Sequence, residues 1–134
     1  MSMEKQLIIK SKIDNLREVE KAIDEISSEF NFKEEKYGNI LIAALEAANN
    51  AILHGNKLDD TKDVVITFTI EEDVFKIKVA DSGPGFNYED IPDPTAPENI
   101  ENVSGRGIFL MEKLSDEINF ENEGAIVELT FKLN

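Results

Sequence analysis

Cysteine is absent from the 134 residues, so neither a disulfide nor a thiolate metal site can be built. His54 is the single histidine, which leaves any bound metal to oxygen ligands. Apolar residues never run uninterrupted for the roughly 18 positions that a membrane span needs. No basic-then-apolar leader opens the chain, so no signal peptide is expected. Bases are scarce too: 14 lysines and arginines face 28 aspartates and glutamates, a net charge of −14. That charge repels a phosphate backbone, so no direct nucleic-acid binding is expected. It serves solubility or meets a basic partner. These absences leave a cytoplasmic protein as the expectation. What is present is 41% hydrophobic residues in a length that suits one domain, residues 1–134, with a real core.

"QLIIK" (6–10) is a short strand candidate. In "DNLREVEKAIDEISSEF", Leu16, Val19, Ile23, Ile26 and Phe30 recur at spacings of 3 and 4, the stripe of an amphipathic helix, with Asp14 as the expected N-cap. A second helix is predicted from Lys33 to His54, stopped by Gly55 or Asn56. Gly38 inside it costs about 1 kcal/mol relative to alanine, and would allow close packing or mark a late start. "DVVITFTIE" (63–71) and "VFKIKVAD" (74–81) form a predicted hairpin. All four prolines then fall at positions 84, 92, 94 and 97, and no base stands between Asn87 and Ser104. Such a long loop in a compact chain is usually functional or mobile. "GRGIFLMEKLSDEI" reads as a glycine-rich helix start with Ile108, Met111 and Leu114 on one face. "EINFE" and "GAIVELTFKL" close the chain as a second hairpin about residues 122–124. The order β-α-α-β-β-loop-α-β-β predicts an α+β fold: a two-layer sandwich of a mixed sheet with helices on one face.

The second helix carries an anomaly. "ALEAANNAILHG" (44–55) is apolar enough for a core yet holds Glu46, Asn49, Asn50 and His54. At about 100° per residue, Glu46, Asn50 and His54 make a polar stripe one turn apart, with Ala43, Ala47 and Ala51 beside it leaving room. A carboxylate and an amide so placed can hold a hard cation, or hold a hydroxyl for deprotonation; a solvated helix face is the plain alternative. Asp81 in "ADSGPGF" ends an apolar run and is followed by Gly83 and Gly85. It can accept hydrogen bonds from an amino group while the glycines let a flat ligand approach, or the segment is a tight turn. In "SGRGIF" (104–109), glycines open a helix whose first N–H groups suit phosphate, with Arg106 adding charge.

Together, in this order, the three elements resemble the GHKL ATPase superfamily, which has the Bergerat fold. "EAANNAILHG" is similar to its N box, "DSGPGF" to its first glycine box, "GRGIFLMEKLSDEI" to its second, and "GAIVELTF" to its last sheet motif. Within the superfamily the pattern looks most like bacterial anti-sigma-factor serine kinases. The resemblance implies ATP and Mg²⁺, with Asn50 on the metal that bridges the phosphates and Glu46 as general base toward a protein serine. It implies Asp81 on the adenine amino group, Gly83 and Gly85 shaping that pocket, and an ATP lid over 87–104. Gly105, Arg106 and Gly107 would contact phosphate. It also implies a STAS-domain anti-anti-sigma protein as substrate, a sigma factor as a second partner, and a homodimer. Family members usually have threonine or serine where Ala125 stands, so a hydroxyl that could meet a phosphate is missing. The expected lid also carries Glu89, Asp90, Asp93, Glu98 and Glu101 but no base, so its phosphate contacts would come from backbone N–H groups. His54 is expected to be structural.

Two other functions use the same residues. A nucleotide-gated regulatory binding module with little or no kinase activity needs the same Mg²⁺-ATP site. A detached histidine-kinase catalytic domain usually has asparagine where Glu46 stands and needs a phosphoacceptor helix hairpin.

Overall fold

The computed structural model describes residues 2–82 and 103–134. The chain opens with strand β1 (Ser2–Lys10), which alternates side chains between the core and solvent. A 3₁₀ turn at Ile13–Asn15 leads into helix α1 (Leu16–Phe30), which buries Val19, Ala22, Ile23 and Ile26. Asp14, the expected N-cap, lies inside that turn. Asn15 takes the cap position, and its amide donates to the Lys10 carbonyl at 3.0 Å, tying the turn back to β1. Asn31, at φ 54°, ends α1 in the left-handed conformation that helix C-caps favour.

Helix α2 (Glu34–Asn50) begins with two glutamates in its first turn, where the helix dipole favours them. It buries Ile40, Ala43, Ala44, Ala47 and Ala48. A Cβ on Gly38 would meet nothing within 4 Å, and the helix starts well before it, so neither close packing nor a late start explains this glycine. The predicted helix to His54 holds in extent but not in form: Ala51–Gly55 is a π turn, closed by the Asn56 N–H on the Ala51 carbonyl at 2.8 Å. Such turns are frequent at functional sites.

Strands β2 (Asp63–Glu71) and β3 (Val74–Ala80) form the first predicted hairpin. Glu72 and Asp73 sit at φ 50° and 64°, the paired left-handed geometry that matches strand twist in two-residue turns. Helix α3 (Val103–Leu114) follows, then β4 (Glu117–Glu121), a 3₁₀ turn at Asn122–Gly124, and β5 (Ile126–Lys132).

The sheet order is β1-β2-β3-β5-β4, and all four pairings are antiparallel, not mixed. Counting chain reversals explains this. One helix between neighbouring strands returns the chain parallel, whereas the two helices between β1 and β2 add a second reversal. Between β3 and β5, α3 and β4 together do the same.

The helices cover one sheet face. From that face Val64, Ile66, Phe68, Ile70, Phe75, Ile77, Leu129 and Phe131 are buried against them. Phe75 lies at the centre, its ring edge-on to Phe32 at 5.3 Å and stacked on Phe68 at 6.3 Å. Burying one such ring contributes about 1.5–3 kcal/mol. Among the described residues no helix is long and apolar enough to cross a membrane.

Candidate functional site

The period of two that buries Phe75, Ile77 and Val79 continues past the end of β3 and turns Asp81 toward the helix layer. There it meets the end of α2 and the π turn. Asn50, His54, Gly55 and Asp81 line one cleft with Ala47, Ala51, Val79, Met111, Phe120 and Ala125. The cleft holds about 390 Å³ of empty space, its open mouth included. Its walls are mainly apolar with a few convergent polar groups, the pattern of a small-molecule site.

At one end stands Asp81. Its backbone N–H donates to the Ala125 carbonyl at 2.9 Å. The next N–H, of Ser82, donates to the Asn56 side-chain oxygen at 2.8 Å. Gly55 packs directly on the Asp81 carboxylate: a Cβ on Gly55 would overlap it, with even the farther oxygen only 2.7 Å away. Any larger residue there would displace the Asp81 carboxylate from this position. Ala125, whose side chain lacks the hydroxyl usual in the family, therefore stands beside Asp81 in the cleft.

Asn50 also lines the cleft, and Glu46 stands one helical turn before it on α2, outside the lining; both are half-buried. Gly107 of α3 lies over them. A Cβ on it would fall 3.0 Å from both Glu46 Oε2 and Asn50 Nδ2. Both side-chain atoms of the Asn50 amide are buried without a hydrogen-bond partner among the described residues. An amide oxygen beside a carboxylate is a donor set that suits a hard cation.

Helix α3 starts at Val103, two residues before the glycine expected to open it. Gly105 and Arg106 therefore lie within its first turn, among the positions whose N–H groups have no intrahelical partner. The Arg106 side chain is exposed, while Gly107 is buried. Thus Glu46, Asn50 and Gly107 come together, and Asp81 joins Asn50 in the cleft. Gly83, Gly85 and the expected lid, apart from Val103 and Ser104, lie outside the described residues. His54 is exposed and lines the cleft from the π turn. Ala47 and Ala51 line it as expected; Ala43 is wholly buried instead.

Sequence reasoning treated Gly55 and Asn56 only as a helix stop. The missed signal for Gly55 is a glycine directly after the last residue of the polar stripe, where a strand-end carboxylate packs. For Asn56 no local signal exists, since it stands among polar residues at a helix end and its partners are distant in sequence.

Comparison with known proteins bears on this cleft. Residues 9–131 match the family model described as "Histidine kinase-like ATPase domain". The chain is 34% identical over 116 residues to the serine-protein kinase RsbW of Bacillus licheniformis, covering 81% of this chain and 72% of that protein. It is 32% identical to the RsbW of Bacillus subtilis (strain 168), with the same coverage. The crystal structure of the RsbU and RsbW domains of Rv1364c from Mycobacterium tuberculosis superimposes with a TM-score of 0.70. That match has 19% identity and covers 98% of this chain and 32% of that one, a likeness of fold.

Proposed function

The chain belongs to the histidine kinase-like ATPase domain family, and from that premise we propose an ATP-dependent protein-serine kinase that also acts as an anti-sigma factor. The observation that carries the reading is the Asn50 amide, buried beside Glu46 and without a partner among the described residues. Buried polar atoms are paired in the great majority of cases, so an orphaned amide in a cleft points to a ligand. Asn50 would hold Mg²⁺, which when bound offsets the charge of the ATP phosphates.

Glu46 takes the proton of a partner's serine hydroxyl as that oxygen attacks the γ-phosphorus. The new O–P bond forms, the bond to the β,γ-bridging oxygen breaks, and ADP leaves. Asp81 accepts a hydrogen bond from the adenine amino group, in a pocket shaped by Gly83 and Gly85. The N–H groups of Gly105 and Arg106, together with Gly107, serve the phosphates. The lid belongs to the segment before α3.

The serine belongs to a STAS-domain anti-anti-sigma protein, and the second partner is a sigma factor, which puts the chain in the cytoplasm. The acidic surface, at −14, suits a basic patch on either partner. We propose a homodimer as well. It is supported by an apolar row in register across the open sheet face: Ile8, Val65, Ala80 and Ile126. Ile8 is 57% exposed there.

The test is a transfer assay with γ-labelled ATP, Mg²⁺ and an extract of the source cells, beside the Glu46→Gln variant. Wild type should place an acid-stable label on a small protein. The variant should lose transfer by about 10²–10⁴-fold, the range for general-base catalysis, with ATP binding unchanged. Undiminished transfer by the variant would remove Glu46 as base. ATP binding without any label would favour the nucleotide-gated binding module.

A further inference from the structure

Asn56 is 1% exposed, one of the few polar residues so deeply buried among the described residues, with Ser11. Its side-chain N–H₂ donates to Ser11 Oγ at 2.8 Å and to the Asp63 carbonyl at 3.1 Å. Ser11 passes the connection on by donating to the Lys62 carbonyl at 2.7 Å. The Asn56 side-chain oxygen accepts from the Ser82 N–H at 2.8 Å. One amide thus ties together the end of the π turn, the residue after β1, the start of β2 and the residue after Asp81. The partners lie 45, 7 and 26 residues away in sequence.

The consequence falls on Asp81. Its own N–H is held by the Ala125 carbonyl and the following N–H by Asn56. The peptides on both sides of its Cα are therefore fixed, which fixes φ and ψ and so the direction of its Cβ. Gly55, the residue before Asn56, supplies the space that the carboxylate occupies. A residue that only sealed the core would not need to reach a backbone N–H beside the cleft.

We propose that Asn56 is a positioning residue for base recognition: by holding the Ser82 N–H it aims the Asp81 carboxylate, and so sets the preference of the site for a 6-aminopurine nucleotide. The proposal rests on the reading of Asp81 as the adenine-binding group. A well-aimed hydrogen bond to a charged acceptor corresponds to about 10–100-fold in affinity. Positioning by a neighbouring bond carries a large part of that.

The experiment measures dissociation constants by calorimetry for ADP and for purine riboside 5′-diphosphate, which has hydrogen in place of the 6-amino group. The full chain is compared with Asn56→Ala, Ser11→Ala and Asp81→Asn. Wild type should prefer ADP by about 10–100-fold. Asn56→Ala should cut that preference to about threefold or less while the analogue binds within about threefold of wild type. Ser11→Ala, which removes one of the two acceptors orienting the Asn56 amide, should lower the preference at least threefold. Equal losses for both nucleotides with the preference intact would mean a structural role only and would overturn the proposal. If Asn56→Ala does not fold, an unchanged preference in Ser11→Ala overturns it. If Asp81→Asn keeps the preference, or wild type shows none, the adenine reading itself fails. If Asp81→Asn loses the preference and Asn56→Ala keeps it, only the positioning role fails.

Discussion

At the Asp81 end of the cleft, the peptides flanking the carboxylate are both hydrogen-bonded to protein, and a glycine makes room for the side chain. At the Asn50 end, both atoms of the amide are buried and unpaired among the described residues, and a glycine of another helix lies against them. The first end is completed by the fold. The second carries polar groups whose partners the described residues do not supply. The contrast fits a site that recognises a rigid base at one end and accommodates changing phosphates at the other. Preorganisation lowers the ordering cost of binding. An unsatisfied amide, by contrast, is a standing cost of about 1–3 kcal/mol to the folded chain, recovered when a ligand arrives.

The comparison breaks most sharply at Gly55. Gly55→Ala places a methyl group where the Asp81 carboxylate lies, so ADP affinity should fall about 100-fold by calorimetry. An unchanged affinity would mean that the carboxylate can move without loss.

Asn50→Ala sharpens the other end. Removing an orphaned amide should raise the stability of the nucleotide-free chain by about 1 kcal/mol in urea unfolding, while ATP affinity loses its dependence on Mg²⁺. A less stable variant would show that the amide has a protein partner after all.

Gly107→Ala is the gentlest of the three. Its methyl would press on the ends of two side chains, which can give by a few tenths of an ångström. Transfer should fall about tenfold, while helix propensity adds up to about 1 kcal/mol of stability. Thermal melting and a transfer rate, measured together, check both signs.

Much of this was legible in the sequence, for identifiable reasons. The spacing of Leu16, Val19, Ile23 and Ile26 fixes α1 because burial of a helix stripe depends only on local period. The hairpins are equally local, and Glu72 and Asp73 simply adopt the turn that strand twist favours. Glu46, Asn50 and Asp81 stood out as polar groups in apolar stretches, and the fold brings Asn50 and Asp81 into one cleft. The antiparallel sheet was not foreseen, although counting reversals through α1 and α2 would have given it. The start of α3 was placed at its glycines because they resemble a helix opener, yet the helix begins at Val103. The Ser11–Asn56–Ser82 connection was out of reach, since no local spacing links residues separated by 45 and 26 positions. That Ala125 stands beside Asp81 was also out of reach, since only its carbonyl bond to the Asp81 N–H shows it.

The difference between the two ends is tested most directly by amide hydrogen exchange of Asp81 and Ser82, with the amides of β3 as reference. If the Asp81 end is built before nucleotide arrives, both amides are protected in the free chain, and saturating ADP slows them no more than it slows β3. Rapid exchange in the free chain, with protection gained only when ADP binds, would contradict the account and make the Asp81 end as ligand-dependent as the Asn50 end.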